Sequence, residues 1–126
     1  MRGVADANAL IACGANCSIA TNNVLNPFTP YGDCSLVRMA NLYANVVQRG
    51  AEEDLAECFA MLTTRPARIL RKKDYGIAVG NPADLIVWNA ASPAQTVATV
   101  AQPVTGYKRG RHLFTREMPV LKRPEE

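Results

Sequence analysis

The sequence contains one histidine, His112, and aromatic residues make up only 6% of its 126 positions. A single imidazole cannot build a histidine-rich catalytic zinc centre, so we expect no metal to be bound by this chain alone. The four cysteines, Cys13, Cys17, Cys34 and Cys58, lack the spacing of a zinc ribbon or of a redox Cys-x-x-Cys motif. We interpret them as free thiols.

Long hydrophobic runs are also absent. No stretch approaches the ~20 consecutive apolar residues that a membrane span needs. Residues 1–10 carry Asp6 and Asn8 where a secretory signal would have its apolar core. These features predict a cytoplasmic protein without a membrane partner.

Neither sign of charge is in large excess, because 14 Lys and Arg stand against 11 Asp and Glu, for a net charge of +3. The basic residues form two clusters, one within residues 68–73 and one within residues 108–111. No interleaved aromatic residues or recognition motif accompany them, so we expect solvated faces and no nucleic-acid partner. With 48% hydrophobic and 20% charged residues, the chain has the composition of a globular domain with a core.

Apolar residues at three- and four-residue spacing predict four helices in the first 75 residues. They are residues 4–13, ending at Gly14; residues 35–48, capped by Asp33 or Ser35 and ending at Gly50; residues 52–62, with Leu55, Phe59 and Leu62 turned inward; and a short helix capped by Thr64, with Ile69 and Leu70 turned inward. Between the first two helices, residues 17–21 read as a short strand. This strand stops at Asn22-Asn23 and is followed by a loop rich in proline and aromatic residues, 25–33.

The pattern changes after a turn at residues 74–76. Short strands are predicted at residues 84–88, 105–107 and 113–115, with a helix over residues 94–100 between the first two. The tail, residues 116–126, contains two prolines among charged residues and is expected to be flexible.

The order of these features resembles the C-terminal end of the amidohydrolase superfamily. The resemblance rests on "TTRPARIL", "DYGIAVGNPADLIVWN" and "GYKRGRHLF", in which Thr63, Pro66, Ala67, Gly76, Gly80, Ala83, Asp84, Leu85 and Gly110 fill the places of the family's motif. The branch it looks most like is the cytosine deaminases, because "ATNNV" and "PFTPYG" lie along that branch's Gly-His-Asp-Asp-Val signature and the loop after it.

The resemblance implies an α/β fold: the last strand and helices of a metal-dependent hydrolase (β/α)8 barrel in residues 1–75, and part of a small β-sandwich module in residues 76–115. A complete barrel needs roughly 200 residues or more, which this chain does not have. The family implies a divalent metal, zinc or iron, for its full-length members.

By the same resemblance, Asn22 stands at the position of the family's catalytic Asp, Asn23 at its neighbour, and Thr21 at the preceding His. Because an amide does not ionise, Asn22 cannot take a proton from an attacking water. We therefore assign no catalytic residue and no metal ligand. Asn22, Asn23 and Phe28 are candidate substrate-binding residues, since each amide offers both a donor and an acceptor to a planar amide or a nucleobase edge. The alternative is that the two amides cap the strand end and order the loop.

The sequence thus predicts a fragment or degenerate member of the cytosine-deaminase-like amidohydrolases, inactive as an isolated chain. The implied reaction is metal-assisted hydrolysis of a carbon–nitrogen bond in a heterocycle or cyclic amide. Two alternatives stay open: a non-catalytic subunit that completes a barrel supplied by another chain, and a small ligand-binding module. Because a strand with free edges invites pairing, we expect a homo-oligomer or a complex with a second polypeptide.

Overall fold

A computed structural model describes residues 3–124; residues 1–2 and 125–126, which are the outer ends of the predicted first unit and of the predicted tail, lie outside this range. Within it the chain forms five helices and three strands. The helices are α1 (Ala7–Ala12), α2 (Leu36–Val46), α3 (Glu52–Ala60), α4 (Thr64–Ile69) and α5 (Pro93–Ala98), and the strands are β1 (Leu85–Trp88), β2 (Pro103–Lys108) and β3 (Arg111–Thr115).

Side-chain caps define where α1, α2 and α5 begin, the last through Ser92. The Ser35 hydroxyl accepts a hydrogen bond from the Arg38 amide at 3.2 Å, as predicted for α2. The Asp6 carboxylate accepts from the Ala9 amide at 3.1 Å, so α1 begins at Ala7 and not at residue 4 as predicted. Each cap satisfies one of the amides that the first turn of a helix leaves without an intrahelical partner.

The end of α2 differs from the prediction. Gln48, with φ +55°, adopts the left-handed conformation that was expected of Gly50, and the Arg49 amide reaches back to the Ala44 carbonyl at 2.9 Å. This is a Schellman ending, which usually has glycine at the left-handed position. At α1 the predicted residue, Gly14, does hold that position, with φ +90°.

The core lies where α2, α3 and α5 pack on one another. Its buried residues are Ala40, Tyr43, Ala44, Cys58, Met61 and Val97. The predicted inner residues of α3, Leu55, Phe59 and Leu62, pack against this cluster. The predicted short helix is present as α4, but its inner face was wrong, because Ile69 and Leu70 are exposed and the buried position is Ala67. Thr64 is the first residue of the helix and not its cap.

The three strands form one antiparallel sheet in the order β1-β2-β3. Leu85 pairs with Tyr107, and Thr105 pairs with Thr115. Trp88 at the end of β1 meets Phe59 of α3 edge to face, with ring centroids 6.4 Å apart, and so joins the sheet to the helices. All three predicted strands and the helix between the first two are confirmed, with ends shifted by at most two residues.

The strand predicted at residues 17–21 is not present as a strand. The segment has no helical or strand assignment, and the backbone hydrogen bond that holds it runs from the Ile19 amide to the Met61 carbonyl, at 3.1 Å. The physical reason is that a strand exists only as part of a ladder, and the strands of residues 3–124 are all in the separate sheet. No helix within residues 3–124 is long and apolar enough to cross a membrane.

Candidate functional site

The two asparagines lie at the end of a segment that is anchored on the helical core. Cys17 and Ile19 point their side chains at the buried cluster, while the alternate residues Ser18 and Ala20 are exposed. This alternation is typical of an extended segment with one face on a core. The sequence pattern therefore predicted the correct buried face even though the segment is not paired as a strand.

A hydrogen-bonded ion pair holds the start of this segment. Arg65 of α4 forms a two-pronged contact with Glu57 of α3 and also donates to the Asn16 side chain at 3.3 Å, while the Asn16 amide donates to the Arg65 carbonyl at 3.1 Å. The hydrogen bond from Arg65 is the main reason that the pKa of Glu57 lies below its ordinary value of 4.5. Asn16 and Arg65 were not singled out in the sequence, because their partners are distant in the chain.

Asn22 and Asn23 differ in their surroundings. Asn22 is exposed, and within residues 3–124 its side chain has no hydrogen bond. Asn23 is half-buried, and its Oδ1 accepts a hydrogen bond from Asn26 Nδ2 at 2.8 Å. Asn23 thus bonds within the loop, whereas the Asn22 amide keeps its donors and its acceptor available. The substrate-binding role of Asn22, Asn23 and Phe28 stays a prediction.

Asn26 organises the turn that carries Phe28. Its side-chain Oδ1 accepts from the Phe28 and Thr29 amides, both at 3.0 Å, and its backbone forms a reciprocal pair with Thr29 at 3.1 Å. Sequence reasoning missed Asn26. The signal was available, since an Asn followed by Pro frequently starts a turn by bonding to the backbone two residues on.

The aromatic residues of the loop face solvent. The exposed fraction is 76% for Phe28 and 67% for Tyr31. Large apolar side chains at such exposure are suited to contact another molecule. The structure links Asn23 to the turn of Phe28 through Asn26, so these two candidate residues belong to one ordered loop.

The far end of the loop rests on α2. Gly32 has φ +115°, and a Cβ atom there would lie 3.1 Å from Arg38 Nη2 and 3.3 Å from Val24 Cγ1. Arg38 Nε lies 3.3 Å from the Asp33 carboxylate, but it is buried and not aligned for a hydrogen bond. A side chain at this φ would be strained, and Arg38 and Val24 would have to move by a few tenths of an ångström to admit it.

The family motif in the second half of the chain has a structural explanation. The Asp84 carboxylate accepts from the Lys108 ammonium and from the Arg109 amide at 2.8 Å, and the Gly110 amide donates to the Ala83 carbonyl at 3.1 Å. The ion pair with Lys108 is the largest cause of the lowered pKa of Asp84. These contacts therefore hold the Ala-Asp-Leu turn against the tip of the hairpin that contains Gly110.

The described residues do not fit a catalytic metal by themselves. Residues 3–124 bring together no group of three His, Cys, Asp or Glu side chains. His112 lies on β3, where its Nε2 is 2.9 Å from Thr115 Oγ1 and its ring leans on Tyr107. Asn22 is neutral and ligates a cation less well than a carboxylate does. We therefore derive no metal-dependent step from this chain, and its lack of a bound metal stays a prediction.

The five helices and the antiparallel sheet make this an α/β chain. The family model described as "Amidohydrolase family" matches residues 1–114, and the chain belongs to this family. Family members are typically metal-dependent.

Two sequence relatives and one solved structure show which members of this family the chain is similar to. The chain is 31% identical over 112 residues to N-isopropylammelide isopropyl amidohydrolase of Pseudomonas sp. (strain ADP), covering 88% of this chain and 28% of that protein. It is 37% identical over 90 residues to pterin deaminase of Rhizobium rhizogenes, covering 71% of this chain and 20% of that protein. The crystal structure of 5-methylcytosine deaminase from Klebsiella pneumoniae liganded with 5-fluorocytosine superposes with a TM-score of 0.89 and 26% identity, covering 96% of this chain and 30% of that one.

These matches confirm the resemblance to the C-terminal part of cytosine-deaminase-like amidohydrolases. The chain spans less than a third of the length of each of these proteins. Membership of the family is therefore established, whereas the activity of the whole protein is a matter for proposal.

Proposed function

We propose that this chain is a fragment or degenerate form of the C-terminal portion of a hydrolase that removes an amino or substituted amino group from a nitrogen heterocycle. The observation that carries the proposal is the TM-score of 0.89 over 96% of the chain with a deaminase bound to a cytosine analogue. The names of the two sequence relatives, an amidohydrolase and a pterin deaminase, describe cleavage of the same kind of bond. In such a reaction water adds to a ring carbon and the amine leaves.

In this proposal residues 1–75 supply the last strand and helices of a (β/α)8 barrel, and residues 76–115 supply part of a small β module. The support is the state of residues 17–21, an extended segment with one face on the core and a single backbone bond, from Ile19 to Met61. Strand neighbours from the rest of a barrel would satisfy the backbone groups that this segment leaves without partners.

Within an assembled site, the chain would contribute binding and not proton transfer. The free amide of Asn22 can donate to a ring carbonyl and accept from an exocyclic amine, and Phe28 lies on the ordered loop that follows. A metal, zinc or iron, would supply the activated water, and its ligands would have to come from other residues. For this reason we propose that the isolated chain is inactive.

The second candidate function is that of an assembly partner, which needs no catalysis. It is favoured by apolar side chains that no described residue covers, with Ile77 91% and Leu25 72% exposed. A second chain that packed on these side chains would remove their apolar surface from water. Sedimentation at micromolar concentration is expected to show a dimer or a larger species, and a monodisperse monomer would contradict this candidate.

Complementation tests the enzyme proposal. The chain would be co-expressed with the part of the Klebsiella 5-methylcytosine deaminase that it does not cover, and turnover of 5-methylcytosine would be measured with added zinc or iron. We expect no turnover by the chain alone, and turnover by the complex when it carries Asn22→Asp. Asn23→Asp is the matched control, because it adds the same charge one residue away.

Three results would contradict the proposal. Turnover by the unmodified chain alone, above a metal-only control, would show that it has ligands that we have not identified. Equal activity for Asn22→Asp and Asn23→Asp complexes would remove the special role of position 22. A stable complex that stays inactive with Asn22→Asp would favour the assembly partner.

A further inference from the structure

The two basic clusters of the sequence meet at one small pocket. Lys72, from the first cluster, and Lys108 and Arg109, from the second, line a cavity of about 70 Å³ between the turn after α4 and the tip of the β2–β3 hairpin. Asp74, Tyr75 and Asp84 complete the part of the lining that carries polar chemistry. A liquid water occupies about 30 Å³, so the cavity has room for one small polyatomic ion.

The charges in this pocket are not fully compensated. The Asp84 carboxylate accepts hydrogen bonds from the Lys108 ammonium and the Arg109 backbone amide, and the charges of Asp84 and Lys108 neutralise each other. Lys72 is 3.8 Å from Asp74, a long and exposed ion pair. Within residues 3–124 the Arg109 guanidinium has neither an ion-pair partner nor a side-chain hydrogen bond. The Arg109 guanidinium, with its positive charge and five N–H donors, is therefore available to an anion. Lys72 lines the same cavity and can exchange its long contact with Asp74 for a contact with that anion.

Tyr75 adds a neutral donor to the pocket. Burial raises the pKa of its phenol above the ordinary value of 10.0, so the hydroxyl keeps its proton at neutral pH. The hydrogen bond from Lys108 is the largest cause of the lowered pKa of Asp84, and the charge of Lys72 is the smallest.

We propose that this pocket binds a small phosphate group, free or on a small ester, through Arg109, Lys72 and Tyr75. A guanidinium fork and an ammonium that line the same cavity are donors that phosphate oxygens accept from readily. The Lys108–Asp84 pair holds the hairpin tip in place for this contact. The site shares no residue with the loop of Asn22 and Phe28, so it does not depend on the proposed hydrolase function.

Titration calorimetry with sodium phosphate tests the proposal on the full chain, with sodium chloride balancing ionic strength. We expect saturable binding that Arg109→Gln weakens at least about tenfold, since hydrogen bonds to charged groups are the strongest. Lys72→Gln is expected to weaken it in the same direction. Asp74→Asn, which removes the competing carboxylate, is expected to tighten binding by about two- to fivefold.

Lys122→Gln is the matched control, because it removes one positive charge from an exposed position in the tail. This variant is expected to bind phosphate like the unmodified chain. Equal losses in Lys122→Gln and Arg109→Gln would mean a diffuse charge effect and would overturn the proposal. Absence of saturable phosphate binding would overturn it too, including the case where a single-stranded oligonucleotide binds and phosphate does not.

Discussion

Met61 connects the helical core to the segment that leads to the candidate site. Truncation of its side chain therefore tests the position of the core and the attachment of residues 17–21 to it. Its side chain is fully buried, at 0% exposure, and its carbonyl accepts the bond from the Ile19 amide. We expect Met61→Ala to lower the free energy of unfolding by about 3 kcal/mol, within the range of about 2–5 kcal/mol for buried Met truncations. At about 4 °C per kcal/mol for a domain of this size, the melting temperature would fall by about 12 °C.

Urea unfolding at a fixed protein concentration gives the free energy, and amide hydrogen exchange gives the local effect. The Ile19 amide is expected to be protected and to lose protection in Met61→Ala. The amides of Ser18 and Ala20, which have no backbone partner within residues 3–124, should exchange rapidly in both proteins.

Met118→Ala is the control, because Met118 is 47% exposed in the segment after β3. A surface truncation of this kind is expected to change stability by no more than about 0.5 kcal/mol. If Met61→Ala cost less than about 1 kcal/mol, or as little as Met118→Ala, the core would not be where we place it. If the Ile19 amide exchanged as fast as the amides of Ser18 and Ala20, residues 17–21 would not be held on the helical core as we describe.

Three further changes have outcomes that follow from single contacts. Gly32→Ala is expected to destabilise the chain by about 1–2 kcal/mol, because a side chain is strained at φ +115° and would press on Arg38; an unchanged melting temperature would count against this loop geometry. Burial raises the pKa of the Cys58 thiol from 9.0 to about 11. The free energy of unfolding should therefore be unaffected by this thiol below pH 9 and should fall as the pH rises from 9 to about 11. This fall should be absent in Cys58→Ala. The pKa of Glu57 is lowered chiefly by the hydrogen bond from Arg65, so the ion pair contributes fully to stability above pH 4.5 and this contribution is lost as the pH falls below that value. The difference in free energy of unfolding between the unmodified chain and Glu57→Gln should therefore shrink below pH 4.5. A difference that stayed constant with pH would contradict the ion pair.

Much of the fold was predictable because the signals are local. Ser35 caps α2 by bonding to an amide three residues on, and the β1 and hairpin patterns depend on alternation and on turn glycines. The helix ends were less predictable, because tertiary packing places Gln48 in a left-handed conformation that its own preference opposes. Ile69 and Leu70 were misplaced for a related reason, since a helical stripe is buried only where another element covers it.

For the candidate site, the sequence by itself determined which chemistry is possible. One histidine and the amide pair Asn22-Asn23 exclude proton transfer at that position whatever the fold, because ionisation is a property of the residue type. Only the tertiary structure decided that Asn23 bonds with Asn26 while Asn22 stays free, and that Lys72 and Arg109, which are 37 residues apart in the chain, line one cavity. Hydrogen bonds and charge contacts between distant residues depend on the path of the backbone, and local patterns in the sequence do not contain that information.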